Sequence, residues 1–258
     1  MPVENIFFPT KEYNTLASLP KDILSVVPSI TELLFDLGLG DKIVGRTKFC
    51  IEPREQVEPI PTFGGTKNLW REKILQQKDV VLIANKEENL KEDIEFLKGK
   101  IPILLTDYES LEQSLESIAW LAEILGVKKA GKQLLGSIKS NSTPKTQGSM
   151  KVLYLIWQEP YMTVGKDTYI FDLLAQGGLP HMVFSESDSR YPEISSHQLA
   201  QADIILLSTE PFPFKEKHRR NLEKALAKPV VLVSGEDFSW PGHRIPHAFR
   251  CMEKLASK

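Results

Sequence analysis

Asp79-Val80-Val81-Leu82-Ile83-Ala84 is a polar residue followed by an unbroken apolar run, the pattern of a strand buried on both faces of a parallel sheet. The pattern returns at Asp203-Ile204-Ile205-Leu206-Leu207. Each run is followed by a charged, helix-patterned segment. A proline then opens a further apolar run, Pro102 before Ile103-Leu104-Leu105 and Pro229 before Val230-Val231-Leu232. Phe35-Asp36-Leu37 and Phe171-Asp172-Leu173 supply a third shared landmark upstream. Three landmarks in the same order indicate two α/β halves of similar plan, with a ligand cleft expected between them.

Ile23–Val27 reads as a strand that stops at Pro28-Ser29, with Ser29 as helix cap and Glu32 as its capping-box partner. That helix should stop at Gly38-Leu39-Gly40. Ile43–Gly45 is the next expected strand, then a Pro-rich loop, a helix from about Asn68, strand Val80–Ala84, a surface helix over Glu87–Lys98 and strand Ile101–Thr106. Helical spacing holds from Ser110 to Leu125, and a second helix begins near Lys128. The polar, helix-breaking stretch Asn141–Gly148 is the expected linker. Beyond it the spacing predicts strand Val152–Trp157, helix Asp167–Ala175, a polar loop Ser185–Pro192, strand 204–207, helix 215–227, strand 230–233 and a terminal helix after Pro246. The domains are expected at 1–126, at 127–148 as a linking helix and linker, and at 149–258.

The chain has 258 residues, 41% hydrophobic and 26% charged, with a formal net charge of −2. That balance gives no electrostatic footprint for nucleic acid. Cys50 and Cys251 are the only cysteines, too far apart in sequence for a disulfide framework or a metal knuckle. No apolar run approaches the roughly 20 residues that cross a bilayer. Met1-Pro2-Val3-Glu4-Asn5-Ile6 lacks the basic start and apolar stretch of a secretory signal, so as written the chain is expected in the cytoplasm.

No catalytic motif is present: there is no G-x-S-x-G elbow, and Gly64-Gly65-Thr66-Lys67 has the residue types of a phosphate loop without its spacing. His243 and His247 are four apart, but Pro246 between them makes a regular helix, and so a metal pair, doubtful. No metal ligands are assigned. Aromatics are more informative. Phe49, Phe63, Trp157, Tyr161 and Trp240 all fall in loops or at strand ends, where open parallel sheets place ligands. Gathered there they suit a large, flat, mostly apolar ligand. Trp157 and Trp240 are expected to face one another across the cleft.

Leu24–Leu34, with Gly38-Leu39-Gly40-Asp41-Lys42-Ile43-Val44-Gly45, resembles the N-terminal signature of the helical-backbone substrate-binding proteins that serve ABC importers for vitamin B12, haem and ferric siderophores. The resemblance continues through Gly64-Gly65, Glu72-Lys73-Ile74, Asp79–Ala84, Trp157, Gly165-Lys166-Asp167, Tyr191-Pro192 and Gly235–Trp240. It implies two Rossmann-like lobes with central parallel sheets, joined by one linking helix, with the ligand in the cleft. It further implies a non-enzymatic protein without a covalent cofactor, acting as a monomer. The aromatic ligand wall of B12-binding members falls here on Phe49, Phe63, Trp157, Tyr161 and the Phe238–Trp240 loop. A surface glutamate docking on the permease falls on Glu72, whereas the second docking position falls on Ser239. Such receptors lie in the periplasm or at the cell surface.

The resulting expectation is a binding protein for a metal chelate, a corrinoid first, feeding an ABC importer or a salvage step. A ferric siderophore or haem is the alternative, with Arg46, Arg190 and Arg244 as candidate cations. A two-lobed Rossmann-type enzyme such as a glycosyltransferase is the third reading.

Overall fold

The computed structural model describes residues 5–7, 21–143, 150–184 and 189–257. Residues 144–148 of the expected linker and 185–188 of the expected polar loop lie outside them, as do residues 1–4 of the N-terminus. The chain divides into two compact units, Met1–Tyr108 with Leu115–Gly136, and Glu109–Ser114 with Ser137–Lys258.

In chain order the first unit carries β1 (Asn5–Phe7), β2 (Asp22–Ser25), α1 (Pro28–Asp36), β3 (Ile43–Arg46) and α2 (Arg54–Val57). Next come β4 (Gly64–Gly65), β5 (Asn68–Leu69), α3 (Arg71–Leu75), β6 (Val80–Asn85), α4 (Lys91–Leu97) and β7 (Ile103–Thr106). Five strands form one parallel sheet in the order β1-β7-β6-β2-β3. Every residue of β6 is buried, which is why Val80 to Ala84 form one apolar run with no alternation before Asn85. Leu24, Leu82, Ala84, Ile94, Leu97 and Ile103 build the core beside it.

Two details of this unit depart from expectation. α1 begins at Pro28, with Val27 as its cap and no side-chain cap bond, so Ser29 lies inside the helix rather than capping it. Proline's fixed φ suits the first helical position, and that moves the start two residues earlier. Asn68 belongs to the antiparallel β4–β5 hairpin, not to a helix, and α3 starts three residues later. At its other end α1 stops where expected: Gly38, at φ +76°, lets its own N–H reach Phe35 O and the Leu39 N–H reach Leu34 O.

Helices α5 (Leu111–Ile124) and α6 (Lys128–Asn141) follow, separated by Gly126 at φ +74°. The division between the units falls inside α6, at Gly136 and Ser137. The second unit holds β8 (Val152–Trp157), β9 (Met162–Thr163), α7 (Tyr169–Gln176), α8 (Ser196–Gln201), β10 (Ile204–Ser208), α9 (Glu216–Leu226), β11 (Val230–Val233), α10 (Gly235–Ser239) and α11 (Ile245–Ala256). Its sheet runs β11-β10-β8-β9, parallel except for β9. α8 carries a full capping box between Ser195 and Gln198.

The two units repeat one plan. β6 and β10 are each the strand opened by an aspartate, and each lies between the first long strand of its unit, β2 or β8, and the strand opened by a proline. Each central strand bonds the proline that opens its neighbour, Leu82 N–H donating to Pro102 O at 2.9 Å and Ile205 N–H to Pro229 O at 3.0 Å, but the aspartates are offset by one residue, Leu82 lying three after Asp79 and Ile205 two after Asp203. The third landmark does not align, because Asp36 ends α1 whereas Phe171 sits in the first turn of α7.

Candidate functional site

In the first unit the chain runs from β2 out to β3 and then returns to β6 on the other side of β2. The carboxyl ends of β2 and β6 therefore flank the switch point where open α/β sheets take ligands. Two asparagines hold the loops that meet there. Asn89 Nδ2 donates to Val26 O at 3.3 Å and to Thr66 O at 3.2 Å, while its Oδ1 accepts the Asn85 N–H at 3.0 Å. Asn85 Nδ2 in turn donates to Thr106 Oγ1 at 3.0 Å. The β4–β5 hairpin is thus tied to the ends of β2, β6 and β7. Lys48 N–H donates to Gly64 O at 2.9 Å and brings the loop after β3 to the same edge. Gly64 is required in that hairpin: at φ +99° an added Cβ would run into Asn68 O.

Beneath this edge lies a small polar layer. The Thr31 hydroxyl is 2.8 Å from Ser25 Oγ and 2.9 Å from Val27 O. Cys50 is buried, its thiol 3.2 Å from Thr47 Oγ1. Burial pushes that thiol above its ordinary pKa, which favours its neutral form.

On the surface above, Phe49 is 50% exposed and Trp70 is 47% exposed. Phe49 lies over Gly65, whose missing side chain leaves room for the ring. With Lys48, Thr62, Gly64, Gly65, Lys67 and Asn68 they enclose a cavity of about 240 Å³. Phe63, expected beside Phe49, is instead a core residue, 3% exposed and packed against the close-lying Gly45 and the Leu24 cluster. Trp70 was not anticipated; its only sequence signal is a large aromatic directly before a charged helix.

In the second unit Trp157, 41% exposed, ends β8. Its indole meets Phe212 edge-on at 5.5 Å, and Phe212 continues to Phe214 at 4.7 Å. Phe212 also escaped the sequence reading, although Pro211-Phe212-Pro213 directly follows β10. Tyr161 packs partly into the core of this unit, and burial together with Glu159 raises its hydroxyl pKa. Trp240 is buried at 7% exposure, with the Arg244 guanidinium 5.1 Å from its ring. The expectation that Trp157 and Trp240 present open faces to one another therefore fails. Little of the Trp240 indole is left to stack on anything.

The candidate cations are mostly engaged. Arg244 pairs with Asp237 at 3.3 Å, and Arg190 with Glu109 at 2.5 Å and Asp167 at 3.4 Å. His243 and His247 lie 6.1 Å apart, and among the described residues no group of three His, Cys, Asp or Glu side chains could hold a metal. Glu72 is exposed in the first turn of α3, as expected. Ser239, at the second docking position, turns its hydroxyl to Glu210 Oε1 at 2.6 Å. No helix of the described residues is long and apolar enough to cross a membrane.

Known proteins share this architecture. The family model described as "Periplasmic binding protein" matches residues 23–231. An uncharacterized ABC transporter substrate-binding lipoprotein, YvrC of Bacillus subtilis, is 30% identical over 62% of this chain, and the match spans 54% of that protein's own length. A vitamin B12-binding protein of Pectobacterium carotovorum is 24% identical over 88% of this chain and 85% of its own. The solved structure of the periplasmic vitamin B12 binding protein BtuF of Vibrio cholerae superposes with a TM-score of 0.71 at 19% identity, covering 92% of this chain and 98% of that one. The periplasmic haem-binding protein HutB of Vibrio cholerae gives 0.72 at 19% identity, over 91% and 98%. These relatives, a lipoprotein and periplasmic proteins among them, give the cytoplasmic expectation no support. The reading as a Rossmann-type enzyme also falls: the chain belongs to the periplasmic binding protein family, whose members bind substrates for transport and are not enzymes.

Proposed function

We propose that this chain is the substrate-binding component of an ABC importer and that its cargo is a metal chelate, a corrinoid of the cobalamin type. One observation carries the choice of ligand: Phe49 and Trp70 stand exposed on the wall of one cavity at the carboxyl edge of the first sheet. A flat macrocycle could cover such aromatic faces, and half-exposed rings are otherwise costly to leave in water. Trp157 offers a third exposed ring at the corresponding edge of the second sheet. Relatives named as vitamin B12-binding proteins support the same choice. The protein works outside the cytoplasm, as a monomer, with the chelate as cargo rather than resident cofactor. It meets the permease through Glu72.

A ferric siderophore or haem is the second reading. It is favoured by Arg46, Lys48 and Arg54, which no carboxylate neutralises within salt-bridge distance among the described residues. Calorimetry with cobalamin and with cobinamide decides. A dissociation constant in the micromolar range or tighter, about −8 kcal/mol, is expected for a corrinoid. No heat with either corrinoid, together with clear heat from haem or a ferric siderophore, would transfer the function to the second reading.

A further inference from the structure

A second cavity of the first unit, about 440 Å³, is lined by Arg46, Lys48, Ile51, Glu52, Arg54, Val57 and Glu58. It shares the Lys48 side chain with the smaller cavity walled by Phe49 and Trp70. Three cations thus face two carboxylates, a net positive lining, and no ion pair among the described residues joins the two sets. Glu52 turns one oxygen to the Arg54 backbone N–H at 3.2 Å, at the start of α2, and Glu58 is exposed.

Arg46 is placed but not neutralised. Its Nε donates to Val57 O at 2.7 Å, one terminal nitrogen to Thr47 O at 3.1 Å and the other to Glu58 O at 3.3 Å. Carbonyls orient a guanidinium without offsetting its charge, and three bonds do not exhaust its five N–H groups. Lys48 lies with its Nζ 5.0 Å from the centroid of the Phe49 ring, so one side chain borders both the aromatic wall and the charged cavity. A concave surface with unmatched positive charge concentrates potential for an anion.

We infer that this cavity is an anion subsite adjoining the aromatic wall. Lys48 and Arg54 take an anionic group of the chelate, Arg46 stands behind them as a fixed charge, and the flat apolar part of the same molecule lies on Phe49 and Trp70. The inference rests on the chelate-binding reading above and deepens it. In cobalamin the anion is the phosphodiester of the nucleotide loop, which cobinamide lacks; in haem it is a propionate.

The test uses the full chain, wild type and with Lys48→Met or Arg54→Met, titrated with cobalamin, cobinamide, haem and haem dimethyl ester. Both side chains are exposed, and circular dichroism checks that the variants fold. Arg46 is left intact because its carbonyl bonds hold the loop. In a corrinoid binder, Arg54→Met, which lines only the charged cavity, should weaken cobalamin about tenfold, the worth of one charge-assisted hydrogen bond, and leave cobinamide within about twofold, while Lys48→Met, at the border of both cavities, should weaken cobalamin more than cobinamide. In a haem binder, the same loss should appear for haem and not for its dimethyl ester, which names the propionate as the anion. Equal losses for the member of a pair that carries the anion and the member that lacks it, or no loss in either variant, overturn the subsite while leaving chelate binding intact. A wild-type protein that binds none of the four overturns the corrinoid and haem readings, and the subsite as assigned to their anions falls with them.

Discussion

Buried His181 ties separate segments of the second unit together. Its Nδ1 is 2.6 Å from Met182 O, which can only accept, so Nδ1 carries the proton; Nε2 is 2.9 Å from Thr163 Oγ1, and Phe171 packs edge-on at 5.5 Å. Burial lowers its pKa to about 4, against the opposing pull of hydrogen bonds to the Met182 and Tyr154 backbone. Above the ordinary histidine value of 6.5 both folded and unfolded chains hold the ring neutral. As pH falls through the window from there to about 4, the unfolded chain takes a proton that the folded one refuses. Stability is therefore lost with acidification, by about 3 kcal/mol across the window. Urea unfolding at pH values spanning it should show this slope, and His181→Gln should flatten it; an unchanged slope in the variant would assign the effect elsewhere. Glu72 makes a separate residue-scale case. A carboxylate in a first helical turn is worth about 0.3–1 kcal/mol, which alone accounts for its place in α3. Docking asks for more: Glu72→Arg should leave chelate affinity unchanged while weakening association with the permease. Pull-down of the permease at wild-type strength would leave Glu72 with only its helix-terminal role.

At the scale of elements, the ends of α1 give a clean measure of backbone strain. Gly38 sits at φ +76°, with nothing within 4 Å of where its Cβ would be. Gly38→Ala therefore crowds no neighbour and tests the left-handed conformation alone. It should cost about 1 kcal/mol in chemical denaturation and leave ligand affinity untouched. A loss several times larger would mean that the loop into β3 has moved. The same helix shows what sequence could and could not disclose. Its glycine stop was legible because few residues adopt positive φ, whereas its start was misjudged because Pro28 at the first position outweighed the cap chemistry of Ser29. β6, β10 and β11 were legible as apolar runs bounded by Asp or Pro. The β4–β5 hairpin was not: strands of two residues have no period to read, and their place is set by Asn89 and Lys48, which lie far away in the chain. Asn89 itself sits in a charged stretch that otherwise reads as a solvated face. Only the fold reveals it as the bolt between hairpin and sheet.

For the whole molecule, the duplication was visible because both units need the same buried central strand. Two of the three shared landmarks recur at the same places in the two sheets, offset by one residue along the central strand. The exposure of the candidate rings was half legible. Loop position placed Phe49 and Trp157 correctly at the surface, but it could not say which way a loop ring turns. Phe63 turns inward because Gly45 clears space for it, and Trp240 is covered, with Arg244 beside its ring. Trp70 and Phe212 came to light only with the fold. This sorting yields a prediction that separates binding from stability. Phe49→Ala, Trp70→Ala and Trp157→Ala each remove an exposed ring, so each should leave unfolding stability nearly unchanged. If the rings lie under the ligand, each should also weaken cobalamin about tenfold, from about 1–2 kcal/mol of lost apolar contact. Phe63→Leu should do the reverse, with stability falling by about 1 kcal/mol and affinity holding, since a core ring touches no ligand. Calorimetric titration and urea unfolding on the same four variants supply both axes. If Phe63→Leu lost affinity while Phe49→Ala and Trp70→Ala kept it, the ligand would have to reach inside the first unit, and the exposed wall would not be its binding surface.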